Sequence, residues 1–245
     1  MTAEDHAHAV ELLHNLVTST EDIRGFLDGM TAFAAATMTK ATKNRIECAV
    51  TLHRHKRSAT IAGSSDDAIL LDGIGQSQGD WPRWDALRTG APVLIRDVST
   101  DPCWRHYCEA LAGFGCHSVL AVPLELGSEA EAVLNFFAPI TDVFSAEVIE
   151  DAKVFAGIAS QALRLELRIA SAELLAEDLK AAMESRTAID LACGMIMAQN
   201  RCPQNEAFQL LRRVSSTRNQ KLHTLAQEII SNVSGHGKIG THFED

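Results

Sequence analysis

Residues 155–183 read FAGIASQALRLELRIASAELLAEDLKAAM, and apolar side chains return along them every seventh residue. The first heptad positions are Phe155, Ala162, Ile169, Ala176 and Met183; the fourth are Ile158, Leu165, Ala172 and Leu179. Four heptads with no proline and a single glycine, Gly157, predict one continuous helix carrying a coiled-coil seam. Upstream, Ser145 suits the N-cap, with Glu147, Glu150 and Asp151 near the positive end of the helix dipole. Downstream, the pattern runs on to Asn200. At about 1.5 Å per residue, that helix is on the order of 80 Å long. A small domain is narrower than this, so part of the stripe needs an outside surface, and a second copy of the chain is the simplest one. A long helix packed along its own domain would show a similar stripe, and the heptads do not reveal the orientation of a pair.

Before that helix the pattern changes twice. Residues 1–20 are rich in His and acids, with a weak helical repeat at Val10, Leu13, Leu16 and Val17. Ile23 to Met38 predicts a firmer helix, with Phe26, Leu27, Met30, Phe33, Ala34 and Thr37 on one face. Short strands then follow at Cys48–Leu52 and Ala59–Gly63 around a polar turn at residues 54–57, and at Val93–Ile95, Val119–Val122 and Val133–Phe137. Trp84–Thr89 is a short helix stopped by Gly90 and Pro92. Asp72-Gly73-Ile74-Gly75-Gln76 is expected to be a turn. Helices on both sides of a run of strands define an α+β domain on an antiparallel sheet.

After the heptads, three short amphipathic helices can close a small core. Ile189, Ala192, Cys193, Ile196 and Met197 carry one face of the long helix to its end. Pro203 to about Val214 turns Ala207, Phe208, Leu210, Leu211 and Val214 inward. Lys221 to Val233 does the same with Leu222, Leu225, Ala226, Ile229, Ile230 and Val233. The expected division is an N-terminal helical segment at 1–19, a sheet domain at 20–154, a linker helix at 155–183, a helical module at 179–233 and a disordered tail at 234–245.

The 245 residues hold 22 Lys and Arg against 32 Asp and Glu, a net charge of −10, with 46% apolar residues. That composition excludes wholesale disorder and argues against a coat for nucleic acid or anionic lipid. No basic and apolar leader opens the chain and no apolar run approaches the ~20 residues of a membrane span. Six scattered Cys fit reduced thiols better than a disulfide framework. The expectation is a soluble, cytoplasmic protein with no membrane partner. The charge is uneven: residues 1–170 carry net −9, whereas Leu179–Val233 carries net +3. Ala207–Gln227 contains no acid, yet holds Arg212, Arg213, Arg218 and Lys221. One basic module on an acidic protein suggests an anionic partner met by that module alone.

Cys103, His106, Cys108 and Cys116 are thiol and imidazole types that suit Zn or iron, but their spacing fits no standard motif, and neighbours Cys116 and His117 on a strand would face opposite sides. Buried free thiols are the expected reading, with no metal site, and nothing names a cofactor. His6, His8 and His14 read as a solvated face. No phosphate-cradling GxxxxGK[ST] loop, HExxH helix or GxSxG elbow is present, so an enzyme is not expected.

Ser185-Arg186-Thr187-Ala188-Ile189-Asp190-Leu191-Ala192-Cys193-Gly194-Met195-Ile196-Met197 resembles the first helix of an ANTAR domain. The likeness continues through Asn205-Glu206-Ala207-Phe208-Gln209-Leu210-Leu211-Arg212, then Arg218-Asn219-Gln220-Lys221-Leu222 and Ala226. The resemblance implies a three-helix module that binds paired stem-loops in nascent leader transcripts and prevents a terminator from forming. Two positions depart from the family: Cys193 stands where many members have Lys, and Pro203 where a capping Ser is common. Thr20 to Leu167 resembles a GAF domain through Trp84-Asp85-Ala86-Leu87-Arg88-Thr89-Gly90-Ala91-Pro92-Val93, Gly115-Cys116-His117-Ser118-Val119-Leu120-Ala121-Val122-Pro123-Leu124 and Leu134-Asn135-Phe136-Phe137. This implies a sensor that takes a small-molecule ligand, without naming it.

RNA loops are read by Arg, Asn and aromatic planes. Arg212, Arg213, Arg218 and Lys221 are the candidates for loop phosphates, and Asn219 for a base edge. Asn219 also suits a cap of the last helix. Gly194 costs ~1 kcal/mol within a helix, so either a neighbouring helix or RNA must come close there, and helix packing is the plainer account. Ala192 is of the same kind. The expected function is a signal-responsive antitermination regulator. A DNA-binding regulator, or a sensor whose tail docks a protein, are the alternatives.

Overall fold

The computed structural model describes residues 2–20, 22–54, 59–78, 82–128 and 130–234. The expected turn at residues 54–57 and the tail from 235 onward fall largely outside these. The chain divides into two compact units, Met1–Ala170 and Ser171–Asp245.

The first unit is a five-stranded antiparallel sheet with helices on both faces. Its strands are β1 (Glu47–Arg54), β2 (Thr60–Gly63), β3 (Val93–Ile95), β4 (Ser118–Leu124) and β5 (Ala130–Ala138), in the order β2-β1-β5-β4-β3. Side chains alternate across the sheet. Cys48, Val50 and Leu52 of β1 share one core with Leu120 and Val122 of β4 and with Leu134 and Phe136 of β5. Ala49, Val119 and Phe137 point into a second core on the opposite face.

Helices α1 (Ala3–Ser19) and α2 (Ile23–Thr42) cover the first face. Thr2 and Asp5 cap α1 reciprocally: the Asp5 N–H donates to Thr2 Oγ1 at 3.2 Å and the Thr2 N–H donates to Asp5 Oδ2 at 3.1 Å. These bonds, with Lys40 beside them, hold the Asp5 carboxyl down to about 2. Asp22 caps α2 through the Gly25 N–H at 2.7 Å. Where the two helices meet, a Cβ on Gly29 would lie 2.6 Å from Leu16 Cδ2, so glycine permits the approach.

Three helices lie on the second face: α3 (Asp66–Gln78), α4 (Pro82–Thr89) and α5 (Arg105–Gly113). The segment 72–76, expected to be a turn, is helical. Ser65 Oγ caps α3 through the Ala68 N–H at 3.1 Å, Asp66 and Asp67 favour its first turn, and Ala68, Leu71 and Ile74 pack into the second core. Burial there outweighs the ~1 kcal/mol that each glycine costs a helix. Helix α5 is not among the elements expected from the sequence. Tyr107, Cys108 and Leu111 bury one face of it at helical spacing.

Helix α6 (Ala146–Asn200) is continuous through both units. Ser145 caps it as expected, its Oγ accepting the Val148 N–H at 3.3 Å. Ala152, Phe155, Ala156, Ala159 and Leu163 are buried in the first core. Phe155 is therefore no part of an intermolecular seam: it is fully buried, with its ring 5.9 Å from that of Phe33. Ile158 and Ala162 are half-buried against the same core. The first heptads serve the chain's own sheet, and the free stripe begins at Leu165.

The second unit closes a small core from the end of α6, α7 (Gln204–Thr217) and α8 (Leu222–Ser234). Among the described residues, no helix is long and apolar enough to cross a membrane.

Candidate nucleic-acid interface

Ala192, Ala207 and Ala226 are fully buried at the heart of the second unit, around Leu211, Leu225 and Ile230. Their small side chains let the three helices close on one another. Cys193 is buried at the edge of this core and burial raises its thiol pKa. The position that often carries Lys in the family thus presents no cation here.

Gly194 answers differently from the expectation. A Cβ built on it meets nothing within 4 Å, so no neighbouring helix requires a glycine there. It lies on the outer face of α6. Helix packing, the plainer account, is corrected: no atom of a neighbouring helix comes near the position a Cβ would take.

Phe208 is also corrected. Expected inward with Ala207 and Leu211, it is 36% exposed and lies one helical turn before Arg212 on α7. Val214 and Val233 are likewise exposed rather than inward. The buried row of α7 is Ala207, Leu211 and Ser215, and Phe208 sits 100° of helical rotation beyond Ala207.

The end of α7 explains how the cations are presented. Arg218 ends the helix and Asn219 follows in the left-handed region, at φ 50°. The Gln220 N–H donates to Ser215 O at 3.0 Å and the Asn219 N–H to Ser216 O at 3.3 Å, the paired bonds of a Schellman ending. Ser215 Oγ then donates to Gln220 O at 2.6 Å, tying the turn down. Asn219 therefore terminates α7 and does not cap α8, and its side chain is exposed. Arg212 and Arg213 precede this turn and Lys221 follows it, all exposed and none ion-paired among the described residues. Arg218 reaches Glu228 at 4.0 Å, a solvent-exposed pair worth little. Gln220 Nε2 also donates to Glu228. Arg201, in the left-handed region at φ 51° after α6, is a further exposed cation that the sequence reading left out.

In the sheet domain, polar side chains interrupt the second core. Asp72 of α3 is fully buried and accepts from Thr51 Oγ1 of β1 and, at 2.7 Å, from Asn135 Nδ2 of β5. Arg83 of α4 is almost fully buried, with Nη1 2.6 Å from His53 Nε2, and its guanidinium lies 4.6 Å from the Trp84 ring centroid. Burial and then the Arg83 charge lower the pKa of His53, which keeps the ring neutral to accept. Thr51, His53 and Arg83 carry no signal in the sequence, Asp72 is expected only as part of a turn, and Trp84 and Asn135 enter only through the stretches that resemble a GAF domain. Lone polar residues within strands carry no motif.

The sulfur candidates do not converge. Cys103 and His106 are exposed, whereas Cys108 and Cys116 are buried, and burial pushes both of those thiols up to about 12. A thiol so raised does not offer the thiolate that metals and electrophiles require. Among the described residues, no group of three His, Cys, Asp or Glu is placed to hold a metal.

A sheet domain with a polar interior, joined through one helix to a module with an exposed cationic turn, is the build of a sensor-output regulator. Residues 28–163 match the GAF domain and residues 177–230 match the ANTAR domain. The chain belongs to the GAF–ANTAR proteins: its ANTAR domain makes it an RNA-binding antitermination regulator and its GAF domain a sensor. No curated protein matches the sequence. Among solved structures, the N-acylhomoserine lactone dependent LuxR family transcription factor CepR2 from Burkholderia cenocepacia aligns over 67% of this chain and 99% of its own, with 16% identity and a TM-score of 0.50. The GAF domain of an Acinetobacter phosphoenolpyruvate-protein phosphotransferase aligns over 70% and 99%, with 12% identity and a TM-score of 0.47. Free methionine-R-sulfoxide reductase from Neisseria meningitidis, in complex with its substrate, aligns over 69% and 96%, with 15% identity and a TM-score of 0.43. At such identities the likeness is one of fold.

Proposed function

We propose that this chain is a signal-responsive, dimeric antitermination factor whose C-terminal module grips the loops of paired stem-loops in leader transcripts. The observation that carries this reading is the α7–α8 turn. There Arg212, Arg213 and Lys221 stand exposed and without ion pairs among the described residues, in a stretch free of acids between Ala207 and Gln227. Guanidinium and ammonium groups so presented suit loop phosphates, and Arg218 can exchange its weak pair with Glu228 for one more. The exposed Asn219 amide suits a base edge, and Phe208, one turn from Arg212, offers a plane on which an unstacked base can rest. Ala192, Ala207 and Ala226 serve the module's packing, whereas Gly194 leaves backbone open for a close approach by the ligand.

The sensor domain is proposed to take a small molecule and to signal through α6, the element common to both units. The protein acts in the cytoplasm, where transcripts are made, and as a regulator rather than an enzyme. A gel shift with a pool of paired hairpins carrying randomised loops, competed by single hairpins and by duplex DNA, tests the reading. Preference for paired hairpins supports it. Tight binding to duplex DNA alone, or to no nucleic acid, overturns it in favour of a DNA-binding or a protein-docking tail.

A further inference from the structure

Ser215, Ser216 and Thr217 close the last turn of α7, with Arg212 and Arg213 before them and Arg218 after. Hydroxyls that follow paired arginines are the charge pattern read by a Ser/Thr kinase with an acidic substrate groove. The sequence by itself does not choose among the three, but their surroundings do. Ser215 is buried and its Oγ donates to Gln220 O at 2.6 Å. Thr217 Oγ1 donates to Arg213 O at 2.9 Å. Ser216 is exposed, and its hydroxyl makes no hydrogen bond among the described residues. We propose that Ser216 is a phosphorylation site, and that a phosphoryl group there occupies the cations at the end of α7 and releases RNA. This regulation acts on the RNA-binding turn and rests on that reading of it.

Residues three and four apart share a face of a helix. Ser216 is four beyond Arg212 and three beyond Arg213, in the row that runs through Phe208 and Arg212. Phosphoserine carries about −1.5 to −2 charges at neutral pH and three strong acceptor oxygens. Arg212 and Arg213 are exposed and not ion-paired among the described residues, so both guanidinium groups can turn to it. Arg218, two residues on, has only a weak exposed contact with Glu228 at 4.0 Å to exchange for it. One effect opposes the pairing: the C-terminal end of a helix carries about half a negative charge, which repels a phosphoryl group. Three guanidinium charges at the same end exceed that half charge. The turn itself is closed by the Ser216 carbonyl, which accepts the Asn219 N–H at 3.3 Å, so the Ser216 side chain can be modified without opening it. The module stays folded while its phosphate-binding groups are filled by its own phosphate.

In the modifying step, Ser216 Oγ attacks the γ-phosphorus of a nucleoside triphosphate held by the kinase. The new O–P bond forms as the bond from that phosphorus to the β–γ bridging oxygen breaks. The nucleoside diphosphate leaves with the electron pair, and the hydroxyl proton passes to the kinase's catalytic carboxylate. The last turn of a helix opens at less cost than its middle, which lets the kinase take this segment in extended form.

The test treats the full chain with ATP and the catalytic subunit of an arginine-directed Ser/Thr kinase, locates the phosphoryl group by peptide mass spectrometry, and measures binding of paired-hairpin RNA across a salt series. The expected result is modification at Ser216. Losing the phosphate contacts of Arg212 and Arg213, each worth about 0.7 in slope, weakens binding about 25-fold at about 0.1 M salt and lowers the slope from about −3 to about −1.4. Treated Ser216→Ala keeps the affinity and slope of the untreated chain, and circular dichroism melts of the treated and untreated wild type coincide. Modification at Ser215 or Thr217 instead, or at none of the three, overturns the site. A phosphorylated chain that binds RNA as before overturns the inference and leaves the RNA reading in place. Lost binding with a collapsed melt overturns the pairing of phosphate with arginine. An untreated chain that binds no paired-hairpin RNA overturns the RNA reading and this inference together.

Discussion

Replacing Arg212 and Arg213 by Gln removes two of the four cations at the end of α7 and leaves the module's core intact. Both side chains are exposed and unpaired among the described residues, and Gln propagates a helix nearly as well as Arg. Thermal stability is therefore expected to stay constant. Each cation that neutralises a phosphate of single-stranded RNA adds about 0.7 to the slope of log affinity against log salt. With Arg212, Arg213, Arg218 and Lys221 engaged, the slope per module is about −3, and raising salt from about 50 to about 200 mM weakens binding about fifty-fold. In the double variant the slope falls to about −1.4 and the same change in salt costs only about sevenfold. Filter binding of a paired-hairpin RNA across a salt series measures both slopes, with circular dichroism melts as the control for folding. Weaker binding with an unchanged slope and an unchanged melt would mean that these arginines do not meet phosphate, and the cationic turn would lose its assigned role.

Gly194→Ala should raise the melting stability of the second unit by ~1 kcal/mol, since the new methyl meets nothing and a helical glycine is removed. If RNA binding falls as stability rises, the bare backbone serves the ligand; equal binding would show that the glycine has no such role. Asp72→Ala leaves the buried Thr51 hydroxyl and Asn135 amide without their shared acceptor, and denaturant unfolding of the first unit should show a loss of about 3 kcal/mol. A loss below about 1 kcal/mol would show that the polar strip is not a structural cross-tie. His53 is held neutral in the fold, its pKa below the usual 6.5, so the folded state binds fewer protons there than the unfolded chain. That contribution to stability is fully present above pH 6.5 and is lost as pH falls through the unfolded value towards the folded one. Melts of wild type and His53→Gln compared from neutral to mildly acidic pH should converge as the pH drops, and parallel curves would refute the coupling.

Much of this protein is written in local pattern. Period-two and period-seven repeats placed the strands and the long helix, because an alternating apolar face is the same whether or not its partner is known. Ser145 announced its helix start through a side chain that bonds within its own turn. The acid-free stretch with its four cations was plain as well, since charge on a surface helix needs no tertiary partner to be expressed. Other features depend on what lies across space. Which heptads were free could not be told from their residues: the sheet claims Phe155 and partly covers Ile158 and Ala162, while Leu165 onward is left bare. Segment 72–76 became helix because the second face of the sheet buries Ala68 and Leu71 and supplies Thr51 and Asn135 to its aspartate. Phe208 faces outward and Gly194 meets no neighbour because the three helices bury Ala192, Ala207 and Leu211 against one another instead. Periodicity encodes which side of an element is apolar; only the packed chain decides how much of that side is already occupied.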